Sequence, residues 1–234
     1  EVAALLASAP GVDEVILFGQ PLPAVHAWTP AMSLPAELGL TPATIPAPIP
    51  YLRPDPIAAA AWRRNLEADG PGLRAGLVWA GNPTHELDFS RTLSPEAALP
   101  FANTPGVRWY SLQKGRGARD LARFHEAGWK IRDLGPQLTD FAETAAAVSA
   151  LDLVISVDTS VAHLAGALGR PVRIMLHAIP EWRWFLGRED SPWYPTARLV
   201  RQARRDDWSS VVARLVDELT AMAVGGPAAR SEHR

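Results

Sequence analysis

Residues 153–171 read Leu-Val-Ile-Ser-Val-Asp-Thr-Ser-Val-Ala-His-Leu-Ala-Gly-Ala-Leu-Gly-Arg-Pro. The stretch opens with three branched apolar residues, which is typical of a strand buried on both faces of a parallel sheet. After it, Val161, Leu164, Ala165 and Leu168 follow the i, i+3, i+4, i+7 spacing of one apolar helix face. The stretch therefore predicts a buried strand that leads directly into a helix packed on the sheet.

The alternation of strand and helix extends in both directions from this stretch. Asp140 and Glu143 have the spacing of a capping box, which predicts a helix start at that point. Six strands that alternate with helices predict an α/β fold, a doubly wound Rossmann-like parallel sheet. The candidate strands are 74–79, 107–112, 130–133, 153–157, 172–176 and 198–201, and the candidate helices are 94–101, 118–127, 140–151, 159–168 and 207–222.

The first 56 residues differ in composition from the rest. Eleven of the 22 prolines lie between Pro10 and Pro56, and each removes a donor that a helix or a sheet would use. Residues 1–56 are therefore predicted to hold one strand, 14–18, left from a preceding acceptor domain, and then an extended connector lying on a surface. We expect a linking helix and turn at 57–72, the sheet domain at 73–223 and a disordered tail at 224–234. Since the chain opens at Glu1 in helix-like sequence, we interpret it as a fragment.

The composition excludes several functional classes. A net charge of −2 provides no electrostatic basis for binding nucleic acid or an anionic membrane surface. The chain has no cysteine, which excludes disulfides and Cys-ligated zinc or iron–sulfur sites. No apolar run approaches the roughly 18 residues that a transmembrane helix needs. Because the lack of cysteine fits a reducing compartment, we expect a cytoplasmic protein.

The strongest candidate site is the start of the helix near residue 159. In a doubly wound sheet, ligands bind beyond the carboxyl ends of the strands, where loops lead into helix N-termini. Asp158, Thr159, Ser160 and His163 lie there, beside free backbone N–H groups at the positive end of a helix dipole. This combination suits a diphosphate. The alternative is that Asp158 or Thr159 only caps the helix and that His163 is a polar surface residue.

The loop after the first predicted strand is a weaker candidate. It contains Asn82, His85 and Arg91, which could reach a phosphate or a sugar. By themselves these residues favour an ordinary polar loop. The loop has no G-x-G-x-x-G motif, which argues against a dinucleotide cofactor.

Two more segments are candidate binding sites. Gln113 and Lys114 follow the second strand next to two glycines, which suits a nucleotide phosphate or base edge, although a solvated basic turn explains them equally well. Residues 181–194 include three Trp, one Phe and one Tyr, which could form a wall for a nucleotide or a sugar, or a contact with a missing domain. Local packing at the sheet edge is the alternative, and we expect most of these aromatic residues to pack there.

Several segments together resemble a known family. They are 76–83 (Gly-Leu-Val-Trp-Ala-Gly-Asn-Pro), 111–113 (Ser-Leu-Gln), 133–135 (Asp-Leu-Gly), 152–171 and 190–195 (Asp-Ser-Pro-Trp-Tyr-Pro). This set resembles the C-terminal region of bacterial tetratricopeptide-repeat-associated glycosyltransferases, which are similar to glycosyltransferase family 9, the heptosyltransferases. The similarity extends over residues 12–222, and Asp-Thr-x-x-x-His at 158–163 is its most specific part. One departure is residues 88–92, Asp-Phe-Ser-Arg-Thr, where the family often has Asp-Arg-x-Arg-Ser.

The resemblance implies the C-terminal, donor-binding half of a GT-B fold, which binds a nucleotide-diphosphate sugar without a metal or another cofactor. It implies that Thr159, Ser160 and His163 surround the diphosphate and the sugar, and that Gln113 and Lys114 contact the nucleotide. The acceptor half, with the general base and a possible tetratricopeptide-repeat region, would belong to the same protein. No catalytic residue is predicted in this chain, which we expect to be inactive alone.

The activity expected of the whole protein is sugar transfer to a protein or glycolipid acceptor. Two alternatives stay open at the level of sequence. One is a nucleotide-binding or scaffold module that has lost turnover, and the other is a nucleotide-sugar epimerase, which also combines two such halves.

Overall fold

A computed structural model describes residues 2–84, 88–179 and 181–224 of the chain. Its centre is one sheet of six parallel strands, whose order is 3-2-1-4-5-6, the Rossmann arrangement. The order reverses between the first and the fourth strand, and a crevice opens there beyond the carboxyl ends of the strands. The strands are β1 (Leu73–Val78), β2 (Val107–Ser111), β3 (Ile131–Asp133), β4 (Leu153–Val157), β5 (Val172–Leu176) and β6 (Ala197–Arg201).

Helices cover both faces of the sheet. Those with described bounds are α1 (Ala3–Leu6), α2 (Leu34–Glu37), α3 (Pro56–Glu67), α4 (Asp88–Arg91), α5 (Pro95–Ala98), α6 (Leu121–Glu126), α7 (Phe141–Ser149), α8 (Ser160–Ala167) and α9 (Trp208–Val224). Short 3₁₀ helices cover Ala31–Ser33, Leu99–Asn103, Gly115–Asp120, Gly135–Gln137 and Trp182–Trp184. One apolar core joins α3, α7 and α8 to one face, and a second core joins α5, α6 and α9 to the other. In the described part of the chain, none of the helices is both long enough and apolar enough to cross a bilayer.

The predicted α/β fold is confirmed, and each of the six strands lies within a residue of its predicted bounds. The capping residue Asp140 is confirmed as well, since its Oδ1 accepts the N–H of Glu143 at 2.8 Å. The Glu143 carboxylate does not complete the capping box. It accepts the indole Nε1–H of Trp62 at 2.5 Å instead, which ties α3 to α7.

The predicted strand at 14–18 is wrong, because the structure forms no strand there. The chain turns at this point: the Leu17 N–H donates to Gln20 Oε1 at 2.8 Å, and the Gln20 N–H donates to the Leu17 carbonyl at 3.0 Å. Gly19 permits the turn with φ +89°. A strand requires a partner for its ladder bonds, and no described strand offers one next to this segment.

The last part of the proline-rich connector is bonded to the sheet domain. The backbone N–H groups of Tyr51 and Leu52 both donate to the Ala167 carbonyl, at 3.1 and 3.3 Å, and Leu52 is buried. Trp28, farther upstream, is 83% exposed, so the first part does not pack as the sequence suggested. The domain boundaries remain predictions, and the predicted disordered tail lies, except for Val224, outside the described residues.

Candidate functional site

A cavity of about 690 Å³ opens beyond the carboxyl ends of β1, β2 and β4, at the crevice where the strand order reverses. The structure brings six of the eight predicted site residues together on its wall. They are Asn82, Arg91, Gln113, Lys114, Thr159 and Ser160. Asp158 and His163 do not line the cavity. Asp158 directly precedes Thr159, and His163 lies two residues after Val161, and both Thr159 and Val161 line it.

The start of α8 leaves backbone donors free at the cavity. Thr159 is the N-cap residue in an extended conformation, with φ −140° and ψ 168°, but its side chain makes no capping bond. Within the described ranges the backbone N–H groups of Ser160 and Val161 have no protein acceptor, and both residues line the cavity. The alternative in which Asp158 or Thr159 caps the helix therefore does not describe this structure.

The Thr159 hydroxyl has a different partner from the one the sequence suggested. Its Oγ1 lies 2.9 Å from Ser156 Oγ, which itself donates to the Val157 carbonyl at 2.6 Å. Because the single Ser156 proton is used in that bond, Thr159 must be the donor between the two hydroxyls. In this structure Thr159 thus holds the strand-to-helix turn, while its oxygen can still accept.

His163 lies one turn along α8 and is not among the residues that line the cavity. Its ring stacks on Trp184 at 5.0 Å and an interplanar angle of 20°, and its Nδ1 lies 3.0 Å from the Tyr194 hydroxyl. Its Nε2 lies 3.7 Å from Asp158 Oδ1. Burial lowers the pKa of His163 below its ordinary value, and the Asp158 charge opposes that shift without overcoming it. The ring is therefore neutral at pH 7 and above.

The loop after β1 is held by ionic hydrogen bonds. Arg91 Nε donates to Asp88 Oδ1 at 2.9 Å, and Arg91 Nη1 donates to the Asp158 carbonyl at 3.3 Å, which connects this loop to the start of α8. A Cβ on Gly81 would lie 2.2 Å from Asp88 Oδ1, so a larger residue there would displace the side chains of this pair. Asn82 Oδ1 accepts the Thr84 N–H at 3.1 Å, whereas His85 lies outside the described residues.

Gln113 and Lys114 have mainly internal partners. The Gln113 Oε1 accepts the backbone N–H groups of Trp79 and Ala80, and its Nε2 donates to the carbonyls of Ala80 and Lys114. This buried amide has no donor left for a ligand and fixes the loop after β1. Lys114 Nζ donates to the carbonyls of Gly135 and Leu138 at 3.2 and 2.5 Å, which leaves its third N–H and its charge for a ligand.

The residues on the opposite wall of the cavity were not predicted from the sequence as site residues. It is formed by the start of α7, with Asp140, Phe141 and Thr144, and by Leu138 before it. The Thr144 hydroxyl donates to the Asp140 carbonyl at 2.6 Å. The capping signal at Asp140 located this helix start in the sequence, and its position after β3 could have indicated that it faces the same crevice.

The aromatic segment at 181–194 packs as expected. Trp184 and Tyr194 are buried, while Trp182 is half exposed and meets Trp193 edge to face at 6.2 Å. A second histidine, His177, follows β5 at the same sheet edge and was not predicted. Burial lowers its pKa below the ordinary value. Within residues 2–84, 88–179 and 181–224, no three His, Cys, Asp or Glu side chains are grouped as metal ligands would be.

Part of the chain matches a known protein family. The family model of glycosyltransferase family 9 (heptosyltransferase) matches residues 117–178, which include β4, α8 and β5. The chain contains a glycosyltransferase family 9-like region. Protein FlbA of Caulobacter vibrioides is 34% identical to it over 173 residues, which are 72% of this chain and 28% of FlbA.

Two solved structures share the fold of the family 9-like region. The E. coli ADP-heptose lps heptosyltransferase II superposes with a TM-score of 0.57 at 16% identity, over 78% of this chain and 56% of that structure. The glycosyl transferase family 9 from Veillonella parvula DSM 2008 superposes with a TM-score of 0.53 at 12% identity, over 74% of this chain and 53% of that structure. At these identities the likeness shows the fold alone. The chain spans little more than half of these two structures and under a third of FlbA.

Proposed function

We propose that the family 9-like region is the donor-binding half of a GT-B glycosyltransferase. The whole protein would transfer a sugar from a nucleotide-diphosphate sugar to a protein or glycolipid acceptor. The observation that carries the proposal is the pair of free backbone N–H groups at Ser160 and Val161, two residues that line a cavity at the strand-order reversal.

These donors are suited to a diphosphate. Two free N–H groups at the positive end of a helix form an anion site without any metal, and the Ser160 hydroxyl adds a third donor. Lys114 supplies positive charge from the neighbouring loop. Loss of a nucleoside diphosphate during transfer would be favoured by the same groups, since they stabilise negative charge on the leaving group.

The rest of the cavity fits the nucleoside. Its volume of about 690 Å³ lies within the usual range for small-molecule sites. Val78, Leu112 and Phe141 give it an apolar part, which we assign to the base. The sugar would extend past Ser160 toward the side on which His163 lies, and the general base would come from an acceptor half of the same protein, with or without a tetratricopeptide-repeat region.

Titration calorimetry with ADP, UDP and GDP, each with and without chelator, tests the binding step. We expect at least one of them to bind this chain, with no change on addition of chelator, and the matching nucleoside to bind far more weakly. A chain that binds none of the three, or only with a divalent metal, would contradict the metal-independent diphosphate site.

Product analysis separates transfer from the two alternatives. The full-length protein is incubated with the nucleotide sugar of the base that binds most tightly. Release of the nucleoside diphosphate and free sugar supports a transferase, whereas an isomerised nucleotide sugar supports an epimerase. Binding without either product supports a scaffold module.

A further inference from the structure

Tyr194 is held against His163 by the shape of α8. The two rings meet at 5.7 Å and an angle of 64°, with the Tyr194 hydroxyl 3.0 Å from His163 Nδ1. The ring of Tyr194 lies directly on the helix backbone at Gly166, where an added Cβ would come within 2.4–2.9 Å of three ring carbons. The bond to Nδ1 is therefore built by close packing and does not depend on an exposed, adaptable side chain.

The proton positions follow from what surrounds the ring. The charged groups that act on His163 are Asp158, Arg183 and Glu181, and Asp158 Oδ1 lies 3.7 Å from Nε2. A neutral ring carries one N–H. If that proton were on Nδ1, the bare Nε2 would face a carboxylate oxygen, lone pair against lone pair. With the proton on Nε2, the ring offers a donor to the carboxylate, and Nδ1 accepts the Tyr194 O–H.

We propose that Tyr194 is a positioning residue that holds His163 in the tautomer protonated on Nε2. Burial and the neighbouring Tyr51 hydroxyl raise the pKa of Tyr194 above its ordinary value, so this hydroxyl keeps its proton. Stacking on Trp184 fixes the plane of the imidazole, Asp158 favours the proton on Nε2, and the Tyr194 O–H then donates to Nδ1.

The proline-rich connector takes part in this hydrogen-bonded group through Tyr51. Tyr51 belongs to the segment whose backbone N–H groups donate to the Ala167 carbonyl at the end of α8. Its side chain acts on the Tyr194 hydroxyl, which in turn bonds His163. The last residues of the proline-rich connector thus contribute to the proton arrangement on the helix that opens the candidate site.

The tautomer of His163 is a property of the chain without nucleotide. Its consequence for binding rests on the proposed function: above pH 7, where no imidazolium is available, the Nε2–H would be a neutral donor that offsets the Asp158 charge beside the start of α8. Loss of the Tyr194 hydroxyl would weaken that donor without removing the ring.

Long-range ¹H–¹⁵N correlation spectra of His163, recorded on the nucleotide-free chain, test the proposal. We expect the Nε2-protonated pattern at pH 7.5. In Tyr194→Phe the ratio of the two tautomers should fall by about 2- to 12-fold, as expected for loss of one neutral hydrogen bond. The pKa of His163 should also rise, since the neutral ring loses a bond that favours it. Trp184→Phe is the control, because it alters the stacking and keeps the hydroxyl, so the tautomer should not change.

A wild-type chain protonated on Nδ1 would overturn the proposal even if Tyr194→Phe did not fold. An unchanged tautomer ratio and titration midpoint in a folded Tyr194→Phe chain would overturn it too. Failure of ADP, UDP and GDP to bind would count against the proposed function and not against the tautomer, which is measured without nucleotide.

Discussion

Replacing Ser160 with proline should remove a diphosphate donor while keeping the helix intact. Ser160 is the first residue of α8, the position where proline is best tolerated because its missing N–H has no helical partner. The residue before a proline must be extended, and Thr159 already is, with φ −140° and ψ 168°. Ser160→Pro therefore deletes the free N–H group of a residue that lines the cavity, and it requires no change in the preceding backbone.

The size of the effect follows from the kind of bond that is lost. A hydrogen bond to a charged group contributes about 1.5–3 kcal/mol. Since 1.4 kcal/mol corresponds to a factor of ten, the nucleoside diphosphate should bind roughly 10- to 100-fold more weakly. Ser160→Ala is the matched control, because it removes the hydroxyl and keeps the N–H. Its affinity should lie between those of the wild type and the proline variant.

Calorimetric titration of the three chains with the tightest-binding nucleoside diphosphate gives the comparison, and thermal unfolding shows whether each chain is folded. We expect the melting temperature of Ser160→Pro to stay close to that of the wild type. Equal affinities of folded Ser160→Pro and Ser160→Ala would refute the reasoning, since the backbone N–H would then contribute nothing to binding.

Other consequences of the structure can be measured independently. Gly166→Ala should lower the free energy of unfolding by about 1–3 kcal/mol in urea titrations, because the new methyl group overlaps Tyr194, and an unchanged value would contradict the close packing. Gln113→Leu should cost about 1–3 kcal/mol or more, since it leaves two buried N–H groups after β1 without an acceptor, and Gln113→Glu, which can still accept both, should unfold later than Gln113→Leu. Thr159→Val should weaken diphosphate binding less than Ser160→Pro does, because its proton is already used within the protein, and calorimetry on both variants decides the order. The free energy of unfolding should fall as pH drops below about 6.5, where the unfolded chain protonates at His163 and the folded chain, with its lowered pKa, does not. His163→Gln should show a smaller fall between pH 7 and pH 5.5, and an identical pH dependence in both chains would contradict the burial argument.

The local pattern of apolar residues was enough to predict the strands of the sheet. The runs at β4 and β5 are buried on both faces, so their composition is apolar apart from Ser156 and Arg173, and their bounds could be predicted to the residue. The start of α7 could be predicted equally well, because a helix cap depends on residues three positions apart in the sequence. The strand predicted at 14–18 failed for the complementary reason: its composition favoured a strand, but a strand exists only where another one lies beside it.

The sequence by itself determined the alternation of strands and helices and the helix start near residue 159, since each depends on neighbours within one or two turns of chain, whereas the strand order and its reversal came from the tertiary structure. The tertiary structure alone decided how the side chains there are used. It placed the Gln113 amide on backbone 34 residues away, and it turned His163 toward Tyr194, 31 residues away. Donors and acceptors so far apart in the chain are matched only when the strands and helices pack, because a hydrogen bond depends on distance and angle in space and leaves no periodic pattern in the sequence.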